Sequence, residues 1–152
     1  MKATLFRNAE ELAAFVKGPL GTSSWVEITQ AQIDQFAEAT GDHQWIHVDP
    51  ERAKDGPFGK TVAHGYLTLA LASRFLFEVL AVHARVVVNY GVERVRFPAP
   101  VKVGSRVRGN VELVRVETMK DGSSQATVKV TTEIEGHGKP ACVAEILFRY
   151  YF

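Results

Sequence analysis

A single cysteine, Cys142, in a chain of 152 residues excludes an internal disulfide and a cysteine-built metal cluster, and it fits a reducing compartment with a thiol that is simply buried. Blocks of like charge are also missing. Eighteen Lys and Arg stand against seventeen Asp and Glu, a formal net charge of +1, so neither a general nucleic-acid surface nor an anionic-membrane surface is expected. No apolar run is free of charge for long enough to cross a bilayer, because Arg74 and Glu78 interrupt the most hydrophobic stretch, Ala63 to Val82. Met1 to Val16 lacks a basic start followed by an apolar run and a small-residue cleavage site, so no signal peptide is expected and the cytoplasm is the expected location. Repeats, low-complexity tracts and linkers are absent. A single domain over residues 1–152 is long enough to bury a core without staples.

What is present reads as helices first and strands second. Asn8 and Glu11 have the spacing of a helix cap, Leu12, Phe15 and Val16 supply an apolar face, and Gly18-Pro19 stops the helix. Trp25 to Ile28 predicts a brief strand. Thr29 and Gln32 form a capping box for a helix that continues through Ile33, Phe36 and Ala37 to Thr40, with Gly41 suited to the left-handed end and Ile28 able to staple onto Ile33. Asp49 and Pro50 open a small helix that Gly56-Pro57 closes. Ala63 to Val82 is apolar nearly all round, which predicts a helix buried on most sides. Long β-segments follow: Arg85 to Phe97 with a bulge or bend at Gly91, and Ser105 to Thr118, whose inward phase shifts between Leu113 and Val114. Asp121-Gly122 turns the chain into the clean alternation of Ala126, Val128, Val130, Thr132 and Ile134, and a last strand carries Cys142, Ala144, Ile146, Phe148 and Tyr150 on one face. The expectation is an α+β domain in which four or so sequential antiparallel strands curve around one long helix.

Chemistry concentrates between Gly41 and Leu80. Asp42 and His47 are five residues apart, so they oppose one another in a regular strand and converge only if the segment between them turns. If they converge, a carboxylate and an imidazole can share one water and move its protons; otherwise Asp42 caps a turn and His47 packs beside Trp45. His43, His47, Asp49 and His64 invite a metal reading, but Ile46, Val48 and Pro50 argue against a helix there, and no metal site is expected. Gly65 begins the long helix, where free amides and the positive dipole end can hold a developing oxyanion; a glycine there also serves close chain approach. His64 is expected to act as a structural hydrogen-bonder, and Ser73 either points at the same site or bonds its own helix. Arg94, Arg96, Lys102, Arg106 and Arg108 surround Pro98-Ala99-Pro100, where one or two of them are expected to meet a phosphate-bearing ligand.

Gly41-Asp42, His47 and Asp49, followed by Phe58-Gly59, Ala63-His64-Gly65 and Leu67, resemble the signature of the MaoC-like dehydratases, the (R)-specific enoyl-CoA hydratases. Asn89-Tyr90-Gly91, Val95 to Val101 and Gly104-Ser105 are similar to the single-domain branch that includes the nodulation protein N-like proteins. The resemblance implies a hot-dog fold and a homodimer with sheets joined edge to edge and thioester tunnels at the interface. It implies that Asp42 and His47 activate water for addition to a trans-2-enoyl-CoA, that the Gly65 amide is the oxyanion hole, and that Ser73 and His64 support the site. Trp45, Tyr66, Asn89 and Arg96 would line the substrate path. Coenzyme A enters only as part of the acyl-CoA substrate, so no separate cofactor is implied. Gln44 and Trp45 replace the usual Asn and Pro, and Tyr66 replaces a common Met, which favours short acyl groups. Two other readings remain open: an acyl-CoA thioesterase, and a non-catalytic acyl-CoA-binding or interaction module.

Overall fold

The computed structural model describes residues 3–15 and 18–152. Val16, expected on the first helix, lies outside them. Strand β1 (Thr4–Phe6) leads into α1 (Ala9–Ala14), where the Asn8 side chain accepts from the Glu11 amide as its spacing predicts. The sequence stops this helix at Gly18-Pro19, but that segment is itself a strand, β2 (Gly18–Thr22), and β3 (Val26–Glu27) follows it. Helix α2 (Gln30–Thr40) carries the complete Thr29/Gln32 capping box, and Gly41 closes it at φ 76°, its amide donating to the Ala37 carbonyl at 2.8 Å.

Two short helices come next, α3 (Trp45–Val48) and α4 (Pro50–Lys54), then the long helix α5 (Gly65–Val79). The first of these corrects the expectation that Ile46, Val48 and Pro50 keep the stretch out of helical conformation: one turn forms, and it ends before Pro50, where the missing amide costs nothing. Helix α5 is shorter and more one-sided than its apolarity predicts. Thr68, Ala72, Phe75, Leu76 and Val79 form its buried stripe, whereas Tyr66 and Phe77 stay 73% and 60% exposed. Leu80–Val82 leaves the helix as strand β4, which pairs in parallel with β1.

The remaining strands are β5 (Val86–Arg96), β6 (Arg106–Thr118), β7 (Ser124–Ile134) and β8 (Cys142–Tyr151). They run in the order β2-β6-β7-β8-β5, with β3 beside β6. The sequence suggests a simple meander, but β5 does not neighbour β6; the segment through Pro98-Ala99-Pro100 crosses to the other end of the sheet. Register shifts fall at Asn89/Gly91 and Leu113/Arg115, the two bulges that the sequence marks. Alternating residues of β7 and β8, among them Ala126, Val128, Val130, Ala144, Ile146 and Phe148, face Phe75 and Leu76 of α5 and form the core. Gly109 of β6 admits the helix: a Cβ there would lie 2.6–2.7 Å from Phe75.

Among the described residues the outer edge strand β5 pairs as a strand with β8 alone, and Val86, Val88, Tyr90 and Val92 are between 39% and 56% exposed. Long apolar edges of this kind invite another strand. Among the described residues no helix is long and apolar enough to cross a membrane.

Candidate active site

Helix α2 ends at Gly41 because glycine takes the left-handed conformation without a Cβ penalty, and this end points the next residue, Asp42, away from the helix into a short loop. The single turn of α3 then swings His47 back toward Asp42. Residues that would oppose one another in a strand thereby meet. The Asp42 carboxylate and ring nitrogens of His47 and His64 lie within 4.8 Å of one another. Asp42 is exposed, while His47 and His64 are buried, so the trio sits where an interior wall opens to solvent.

Backbone carbonyls fix both imidazoles. His47 Nδ1 donates to the Val62 carbonyl at 2.6 Å, which leaves Nε2 as the nitrogen with a free lone pair. His64 Nε2 donates to the Asp42 main-chain carbonyl at 2.9 Å and so ties down the acid's own backbone. The two rings stack at 3.8 Å with 23° between their planes, and Phe36 packs on His64 at 4.9 Å. Asp42 Oδ1 also accepts from the Gln44 amide, at 3.4 Å, so the capping role expected of a turn aspartate accompanies convergence rather than replacing it.

The same geometry bears on metal binding. A cation ligated by two imidazoles lies close to both ring planes. The His47 and His64 rings stack nearly parallel, and with Asp42 they offer three ligand atoms within 4.8 Å of one another. His43 is not part of the group; it faces Glu38 at 3.7 Å. Asp49 caps α4 by accepting from the Arg52 amide at 3.0 Å, as its place before Pro50 predicts.

Gly65 is the first residue of α5, so its amide has no carbonyl one turn earlier in the helix. It also serves close approach, since a Cβ there would touch the Phe97 ring at 3.4 Å. One residue on, Tyr66 enters a cavity of about 340 Å³ that it shares with Leu69, Ser73, Asn89, Val92 and Ile146. Tyr66, Ser73 and Asn89 are thus brought together beside the β5 edge, and Tyr66 stands two residues after His64 of the polar trio. Trp45 is not in it. Its ring packs over Gly56, with the Arg52 guanidinium 4.4 Å from the ring centre. Arg96 is exposed and donates to the neighbouring Val95 carbonyl. Of the other cations near the proline turn, Arg106 and Arg108 pair with Glu135 and Glu133 and lie over Trp25, and Arg94 faces Glu145 at 3.9 Å.

Three contributors carry no signal legible in the sequence. Val62 acts through its carbonyl, which any residue supplies. Gln30 donates to the His47 carbonyl at 2.8 Å, and Thr61 donates to Gln30 Oε1 at 2.5 Å. Cys142 stays outside the chemistry: burial pushes its thiol up to about 11.

An α+β hot-dog domain with an Asp/His pair at the mouth of its central helix is the class that fold and site define. The chain belongs to the MaoC-like domain family, whose model matches residues 11–135. It is 55% identical over 146 residues to 3-hydroxyacyl-thioester dehydratase Z of Mycobacterium tuberculosis, covering 95% of this chain and 97% of that one. It is 47% identical over 128 residues to nodulation protein N of Rhizobium leguminosarum bv. viciae, covering 82% and 80%. The solved (R)-hydratase from A. caviae involved in PHA biosynthesis superposes with a TM-score of 0.73 at 24% identity over 89% of this chain and 96% of that one, a likeness of fold. The family is one of hydratases and dehydratases.

Proposed function

We propose that this chain catalyses the reversible, (R)-specific addition of water to trans-2-enoyl-CoA, giving (R)-3-hydroxyacyl-CoA. The observation that supports this most is the convergence of the Asp42 carboxylate and a ring nitrogen of His47 to within 4.8 Å, with His47 Nδ1 committed to the Val62 carbonyl. Asp42 accepts one O–H of a water and orients it. His47 Nε2 takes the other proton as the water oxygen bonds to C3, and the imidazolium returns that proton to C2 on the same face. Atoms balance with one water per thioester, and coenzyme A takes part only within the substrate. The Gly65 amide faces the thioester oxygen, whose charge grows in the enolate-like transition state, so its bond strengthens there.

The Tyr66, Ser73 and Asn89 cavity receives the acyl chain. Of the two bulky residues, Tyr66 lines it and Trp45 does not, so Tyr66 sets the preference for short chains. The apolar β5 edge pairs with the β5 of a second copy and covers that cavity. Stereochemistry tests the reading in the dehydration direction. The protein should consume (R)-3-hydroxybutyryl-CoA, leave the (S) isomer, and release no free thiol. Consumption of the (S) isomer would overturn it, and thiol release would establish a thioesterase instead.

A further inference from the structure

Helix α3 is a single turn of four residues, and its N-cap Gln44 makes no side-chain capping bond. A helix this short has no stability of its own, so bonds from outside must set the position of His47. Three do so among the described residues. The Val62 amide donates to the Ile46 carbonyl at 3.0 Å, His47 Nδ1 donates to the Val62 carbonyl at 2.6 Å, and Gln30 Nε2 donates to the His47 carbonyl at 2.8 Å.

The segment that carries Val62 is rigidly placed. The Val103 amide donates to the Thr61 carbonyl at 2.9 Å, the Ala63 amide donates to the Val101 carbonyl at 2.8 Å, and Thr61 is 1% exposed. Gln30 connects the two sides. Its amide nitrogen faces two acceptors, the His47 carbonyl and Asp34 Oδ1, while its oxygen accepts from the Thr61 hydroxyl. This arrangement fixes the orientation of the side-chain amide and spans the gap between His47's backbone and the residue next to Val62.

We propose that Gln30 is a positioning residue: by bridging the His47 carbonyl to Thr61 it holds His47 at the height where Nδ1 meets the Val62 carbonyl, and so keeps Nε2 bare toward Asp42. The bond from Nδ1 selects the tautomer, and the bridge secures that bond. Its effect on turnover rests on the hydration reading; its effect on the tautomer does not.

Two variants separate these effects. Gln30→Met keeps length and helix preference and deletes all three side-chain bonds, to His47, Thr61 and Asp34. Thr61→Val is nearly isosteric and removes only the hydroxyl, which keeps the test available if Gln30→Met fails to fold. Nitrogen-15 NMR of the histidine rings should show a protonated Nδ1 and a bare Nε2 for His47 in the parent, and a mixture of tautomers in each variant. With crotonyl-CoA, kcat should fall by roughly 10- to 100-fold in Gln30→Met, the scale expected of a misplaced catalytic group, while KM moves less than about twofold. An unchanged His47 tautomer in both folded variants would overturn the proposal, as would a raised KM at constant kcat. A parent that hydrates no enoyl-CoA removes the functional reading alone, and the NMR result then decides the role of Gln30.

Discussion

Placing a single methyl group at Gly109 should unseat α5. A Cβ built on this residue lies 2.6, 2.7 and 2.7 Å from Phe75 Cβ, Cδ2 and Cγ. Carbon atoms pack at about 3.5–4.0 Å, so the helix and β6 would have to separate by roughly 1 Å. Phe75 has no exposed surface and so no free space to swing into. Overpacking of this kind costs about 1–3 kcal/mol, and at about 2–4 °C per kcal/mol for a chain of this size Gly109→Ala should melt about 2–12 °C below the parent. The same displacement moves Gly65 and His64 relative to Asp42, so kcat should fall as well. Gly138→Ala is the control: its Cβ meets nothing within 4 Å, and its Tm should stay with the parent's. Differential scanning calorimetry of both variants decides the matter. A Gly109→Ala protein that melts with the parent would refute the packing argument.

Two further outcomes follow from the structure. The Ser24 hydroxyl and amide both donate to Glu78 and hold its carboxyl below the usual carboxylate range. A depressed pKa in the folded state stabilises above the unfolded value and loses that contribution as pH falls through the folded one. Ser24→Ala should therefore lower Tm modestly at pH 7, by no more than about 4 °C for so exposed a pair, and the difference should close in acid; a gap that widens in acid would contradict this. Val88→Lys places a charge on the open β5 edge, and light scattering should find a dimeric parent and a monomeric variant.

Where structure follows from local chemistry, the sequence is readable. The Thr29/Gln32 box, the glycine at 41, the Asp49-Pro50 start and both bulges sit where residue type and spacing put them, because each depends on atoms a few residues apart. Strand β2 is not readable. Gly18-Pro19-Leu20-Gly21-Thr22 has no alternation and a single β-former, Thr22, and it is a strand only because β6, some ninety residues later, supplies partners. Leu80–Val82 continues the apolar run of α5, yet pairs with β1.

The site divides in the same way. Asp42 and His47 are chemically conspicuous, but their meeting depends on a turn, α3, whose residues have no strong helix preference and whose position is set from outside. Three residues that hold them, Gln30, Thr61 and Val62, act through a half-buried amide, a hydroxyl and a main-chain carbonyl. None of these stands out until the fold brings the segments together.

The proposed addition of water to an enoyl thioester by Asp42 and the bare nitrogen of His47 is tested by following the conjugated-thioester absorbance of crotonyl-CoA with the purified protein beside folded Asp42→Asn and His47→Ala variants. Rapid loss with the parent and near-abolition in both variants are expected. Equal rates in parent and variants, or no loss with the parent on short or long enoyl chains, would contradict it.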